Sequence, residues 1–368
     1  MENRKSLNWE LRIRNKELGK VFLVVLLIVL GVGYFKYVYT YKTSTHANIT
    51  SVMFDYYNKN FPNQPIAEEF KSLLVEGSTR EDDAPRWLNH FYDPINNKGL
   101  SWKNLSWESS KSWAQNDKTQ LALVYKANLA SIVGLGSEPL IFTWQKAIKY
   151  YNDGDKKTAF LILGHVLHLL EDASVPDHTR NDSHAEGSPY EEFTNNLTPV
   201  APSQKPIILN NLDDYFDAMA KYSNGNFYSK DSIGEEFYKD PKPDYQSRDG
   251  KYIYGFKIDD FGNSYHLVNL GESDYIWSKI NSLFDGTNNK ILTDYWSRLS
   301  PKAIQYGAGL INLFFQEAEK AKKEQGVVPV AEASNEGYLA SALGAFKSLI
   351  TNSTTEVFEE VAVLDLAM

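Results

Sequence analysis

AFLILGHVLHLLEDASVPDHTRNDSHAEGSPYEE, Ala159 to Glu192, is the stretch whose reading decides the fold. Its first part is apolar and free of proline, which predicts a buried helix. On that helix His165, His168 and Asp172 stand at i, i+3 and i+7, on one face. Pro176 is expected to stop the helix, because its ring blocks the preceding turn and it has no N–H to donate. His178 follows in the turn, with His184 and Glu191 soon after. Two imidazoles and a carboxylate on one stripe, with more of both just past the stop, form a zinc-type ligand set. His165 alone reads as a core histidine with a satisfied hydrogen bond. His168, Asp172 and His178 together do not. A buried helix would not set an unpaired carboxylate beside two imidazoles unless a cation offset its desolvation.

HLLEDASVPDH, from His168 to His178, is similar to the H-x-x-x-D-x-x-x-P-x-H run of the zinc-dependent phospholipase C family. The resemblance implies that His168, Asp172 and His178 are zinc ligands, with Asp172 bridging two of three ions. Upstream, Ser44 or Thr45 is expected to cap a helix with His46 in its first turn. The family opens its first helix in a similar way with a ligand histidine, so His46 takes that role. NHFYDP, Asn89 to Pro94, resembles a segment whose histidine is a ligand, which points to His90. The family's catalytic-site Asp lies shortly after a Gly and shortly before that histidine. Asp82, five residues after Gly77, is the best match, with Glu81 and Asp83 on either side. His184 and PYEEF match the two halves of the family's last ligand pair, although Glu191 lies seven residues beyond His184. Glu186 and Glu192 are alternatives to Glu191. Secreted members also use a mature N-terminal Trp as a ligand. No Trp occurs here between Trp9 and Trp87, so the resemblance stops short of that residue.

The 368 residues, 42% hydrophobic and 14% aromatic, are enough for one large domain with appendages. The net charge of −9 weakly disfavours a nucleic-acid groove built on bulk charge, and no stable nucleic-acid partner is expected. Cysteine is absent, so any zinc must be held by His, Asp and Glu. Residues 1–20 are basic and read as cytoplasmic. Residues 21–39 read as a transmembrane signal anchor, which puts the catalytic domain outside the membrane. Secretion after signal cleavage is the alternative.

Helical patterns recur along the chain. Ile66 to Val75 is amphipathic, with Gly77 as its stop. Lys118 to Val133, Glu138 to Asn152 and Lys156 to Ala173 follow, separated by short turns. Within the insertion-rich stretch 197–290, Lys251 to Leu270 alternates around a DFGN turn and predicts a β-hairpin. Its His266 reads as a surface or packing residue. A last helix is expected from Pro301, with proline near N1. The fold class is therefore all-α, a multi-helix phospholipase C-like bundle over 40–319 with a small inserted β-hairpin. Residues 320–368 read as linker and tail.

The resemblance implies a zinc-dependent phosphodiester hydrolase with two or three Zn2+ ions. His90, His168 and Asp172 would hold the first ion and His178, His184 and Glu191 the second. Asp172 with His46 would share the third. Asp82 would lie beside the attacking water, as base or orienting group. Trp87 falls where the family lines a choline pocket with an aromatic face, and Asp83 stands where a second aromatic would be. Phospholipid is the favoured substrate, with the membrane as partner through the N-terminal segment. The alternatives are a single-strand nuclease of the same fold and a non-catalytic, zinc-stabilised surface module.

Overall fold

Asp155 opens the central helix by accepting the Thr158 N–H on its carboxylate. From Ala159 onward nearly every side chain of that helix is buried, as an all-round apolar pattern requires. The computed structural model describes residues 43–83, 86–102, 104–130, 141–184, 187–195, 197–232, 241–250, 252–271 and 289–325. In chain order these form α1 (Thr43–Asn60), α2 (Lys71–Arg80), β1 (Ser101–Trp102), β2 (Leu105–Ser106), α3 (Ser110–Trp113), α4 (Asp117–Ala130) and α5 (Trp144–Asn152). Next come α6 (Lys156–Asp172), α7 (Pro176–Thr179), α8 (Pro189–Thr194), α9 (Leu212–Asn226), β3 (Tyr245–Asp249), β4 (Tyr252–Ile258), β5 (Ser264–Asn269) and α10 (Lys290–Gln325). The fold is mostly helical, with a two-stranded antiparallel pair β1-β2 and a small antiparallel sheet in the order β3-β4-β5. Residues 39–323 make up one unit. The other, 1–38 with 324–368, lies almost wholly outside the described residues. The apolar segment 21–39 falls there too. Among the described residues no helix is long and apolar enough to cross a membrane.

Helix α6 is the axis of the core. Gly77 of α2 meets Gly164 of α6 so closely that a Cβ on Gly77 would lie 1.9 Å from the Leu161 carbonyl oxygen. A Cβ on Gly164 would lie 2.2 Å from Leu74 O. Gly77 therefore does not end a helix, as its sequence context suggests; it lets two backbones touch inside one. The start of that helix is corrected as well, since a 3-10 turn at Glu68–Phe70 precedes α2. On the other side Trp144 donates its indole N–H to Glu317 at 2.6 Å, and Asn152 donates to Ala318 O at 2.9 Å. These bonds tie α5 to α10.

Several expected boundaries move. Helix α6 ends at Asp172, and Pro176 is the first residue of the one-turn α7, so His178 sits in a helix rather than in a turn. Residues 141–143 are not helical, and α5 begins at Trp144. Helix α10 begins at Lys290 with Pro301 in its interior, and it runs as far as Gln325, into the charged stretch that reads as a linker. An interior proline forfeits a backbone bond, but Leu299, Ala303 and Ile304 are fully buried around it and hold the helix in place. Ser44 and Thr45 do not cap α1. Their hydroxyls bond Asn195 Oδ1 at 2.9 Å and Thr194 O at 3.0 Å, pinning α1 to the end of α8. The expected hairpin is β4–β5, and β3 adds a wholly exposed third strand.

Candidate metal centre

The crossing of α2 over α6 brings the residues just after α2 against one face of α6. Asp82 and His90 come from that segment, His46 from α1, His168 and Asp172 from α6, His178 from α7, and Glu191 from α8. His184 stands in the loop between α7 and α8. All of these except Asp82 are buried, and the Asp82 side chain is only 6% exposed.

Asp172 is the hub. Its Oδ2 lies 2.9 Å from His90 Nδ1 and 3.0 Å from His168 Nε2. Its Oδ1 lies 3.2 Å from His178 Nδ1 and 3.5 Å from His46 Nε2. Asp82 Oδ1 is 3.6 Å from His90 Nδ1 and 3.5 Å from His168 Nε2. Glu191 completes the other end, with Oε1 at 3.3 Å from His178 Nε2 and Oε2 at 3.5 Å from His184 Nε2. Three sets of ligand atoms thus converge, each within 4.8 Å: His46–His168–Asp172, Asp82–His90–His168 and His178–His184–Glu191.

The imidazoles are oriented from behind. His168 Nδ1 faces Ser78 O at 2.6 Å, His90 Nε2 faces Glu81 O at 3.3 Å, and His184 Nδ1 faces Asp182 O at 3.0 Å. His46 Nδ1 faces Glu171 Oε2 at 2.6 Å. Each outward nitrogen meets an acceptor, so in the neutral ring it carries the proton and the inward nitrogen is left with a lone pair. Two such inward nitrogens, on His90 and His168, stand 3.2 Å apart. Both oxygens of Asp172, Asp82 Oδ2, His178 Nδ1 and Glu191 Oε1 are buried without a hydrogen bond among the described residues. Lone pairs crowded in this way repel unless cations lie between them. Imidazole and carboxylate donors without thiolate suit zinc or a similar divalent ion. The residues present therefore fit the metal that the sequence suggests.

Protein charges alone bias the titrations. Burial would raise Asp172, but His168, His178 and His90 hold it well below the usual carboxylate range. Burial would lower His178, yet Asp172 and Glu191 push it well above the usual imidazole range. Asp82 goes the other way: burial raises it and prevails over the neighbouring imidazoles.

The remaining predicted residues divide. Trp87 lies half-buried in the 3-10 turn Arg86–Asn89. Asp83 faces solvent, its side chain 69% exposed and 3.8 Å from Arg80. Glu192 is exposed, unlike Glu191, and Glu186 lies outside the described residues. His165 is a core histidine bonded to Glu81 at 2.6 Å, and Glu81 also receives Arg86 and Trp113. His266 packs against Tyr254 and Phe256 and bonds Asp294 at 2.7 Å. Sequence reasoning missed Glu171. Its one signal is a second acid directly beside Asp172 at the end of an otherwise apolar run.

No family model and no curated protein matches the chain. Among solved structures it is similar to the alpha toxin from Clostridium absonum, with 13% identity and a TM-score of 0.43, over 77% of this chain and 67% of that one. It is also similar to the Clostridium perfringens alpha-toxin from avian strain SWCP, with 14% identity and a TM-score of 0.40, over 75% of this chain and 64% of that one. At these values neither likeness bears on activity.

Proposed function

We propose that the chain is a zinc-dependent phosphodiester hydrolase, of phospholipase C type, acting on phospholipid head groups. One observation carries the metal part of this reading. Four imidazoles with their outer nitrogens fixed by acceptors turn their inner nitrogens toward the carboxylates of Asp172, Asp82 and Glu191. The phosphodiester part rests on the HLLEDASVPDH and NHFYDP motifs and on the order of the ligand residues along the chain.

In this reading His90, His168 and Asp172 hold one ion, His178, His184 and Glu191 a second, and His46 with Asp172 a third. When bound, zinc lowers the pKa of water toward ~7 and offsets the charge of the phosphate oxygens. Asp82 has two duties. Its Oδ1 faces the His90 and His168 nitrogens, and its buried Oδ2 has no hydrogen-bond partner among the described residues, so it can orient a water and take its proton. Trp87 offers an aromatic face for a head-group cation. Water and the diester yield a phosphomonoester and an alcohol.

Vesicles of phosphatidylcholine or phosphatidylethanolamine and, separately, single-stranded DNA provide the test. Phosphomonoester release from lipid should need zinc, and Asp82→Asn should slow it roughly a hundred- to ten-thousand-fold. Metal analysis of the same variant separates loss of a base from loss of a ligand. Cleavage of DNA without any lipid cleavage would overturn the substrate; an Asp82→Asn protein of full activity would overturn the role of Asp82.

A further inference from the structure

Of the four acceptors behind the imidazoles, three are backbone carbonyls and one is a side chain. Of these four rings, His46 is the one whose outward nitrogen faces a carboxylate, Glu171 Oε2 at 2.6 Å. Glu171 is 2% exposed. Thr50, one turn beyond His46 on α1, donates its hydroxyl to Oε1 at 2.7 Å, and Ser78 of α2 donates to Oε2 at 3.3 Å. A carboxylate this deep is strongly unfavourable unless its lone pairs are met, and donors from α1 and α2 meet them here. Ser78 serves twice, since its carbonyl also orients His168. Glu171 immediately precedes Asp172, so the end of α6 presents one carboxylate to the back of His46 and the next to its front.

We propose that Glu171 is a positioning residue: it locks His46 as the Nδ1–H tautomer, aims Nε2 at Asp172, and strengthens the hold of that corner on a divalent cation. The inference rests on the zinc reading above. A carboxylate behind a ligand imidazole makes the ring a stronger donor than a carbonyl does, and it fixes the ring's orientation. Among the described residues His46 is the only candidate ligand that α1 contributes. The competing reading is a buried ion pair, with His46 doubly protonated between Glu171 and Asp172. That arrangement needs a proton on Nε2, 3.5 Å from Asp172 Oδ1, and leaves no lone pair for a cation.

Zinc itself is the probe, in the full chain. Competition with a chromophoric chelator should show one ion bound 10- to 100-fold more weakly in Glu171→Gln, with the others unchanged. His46→Ala should lose that same ion, and the double variant should be no worse than His46→Ala. In the unmutated, zinc-loaded protein, nitrogen NMR of labelled histidine should report His46 with Nδ1 protonated and Nε2 metallated, a readout independent of how any variant folds. Wild-type affinity for every ion in Glu171→Gln, or a doubly protonated His46 in the loaded protein, would overturn the proposal. An unmutated protein that takes up no zinc would overturn the metal reading, and this inference with it.

Discussion

His46 shows how a single side chain couples the centre to pH. Burial would lower its pKa, but hydrogen bonds and charge from Asp172 and Glu171 push it up to about 10. A pKa raised on folding favours the native state fully below the free value of 6.5, and that advantage is lost as pH climbs toward about 10. His165 has the opposite sign. Burial outweighs Glu81 and pushes it down to about 4, so the unfolded chain binds its proton first and stability falls as pH drops from 6.5 toward 4. Chelated protein should therefore melt at lower temperature on both sides of pH 6.5, and His46→Gln should flatten the alkaline side. Zinc needs His46 neutral, so binding at pH 7 should release a proton, read as acidification of a lightly buffered sample. Zinc uptake without acidification would contradict the assignment of His46. The candidate cluster that the structure brings together was legible in the sequence because imidazole and carboxylate at set spacing are rare by chance. Their outer acceptors were not, since Ser78 O, Glu81 O and Asp182 O are backbone atoms with no signature in residue identity.

Helices carry the next level, and here glycine misled. A glycine near a helix end reads as a cap, yet Gly77 is a contact point with Gly164, a fact that only the crossing partner reveals. Gly164→Ala should cost about 3 kcal/mol in chemical denaturation, because the atom it meets is a backbone oxygen that cannot step aside. Gly307→Ala is the contrast. Its Cβ would meet Sδ and Cε of Met53, a flexible side chain, and the substitution should cost less than about 1 kcal/mol. Equal losses in the two variants would argue against the close crossing of α2 and α6. The β3 strand escaped the sequence for a related reason. YQSRD is exposed at every position, so it lacks the buried apolar residues that mark β4 and β5.

At the scale of the molecule, the candidate ligands are drawn from residues 46 to 191, so the centre closes only when α1, α2 and α6–α8 are all in place. Free zinc at about 100 times its Kd adds about 2.7 kcal/mol to stability, and chelation should lower the melting temperature by about 5–10 °C. An unchanged melting temperature in chelator would count against a bound ion. The all-helical class was legible because 3.6-residue periodicity survives in isolated segments. The tie between α5 and α10 was not, since Trp144 and Glu317 stand 173 positions apart. One local feature sets a clock on this assembly. His184 holds a left-handed backbone, φ 39, in a loop fixed by Asp182, and Glu191 sits on a short helix capped by Ser188. His46, His168 and Asp172 stand instead on long helices in the core. With zinc bound as proposed, an ion at His178–His184–Glu191 should depart before one at His46–His168–Asp172, giving two-phase kinetics in rapid mixing with chelator. Ser188→Ala should quicken the early phase and leave the late one at its original half-life.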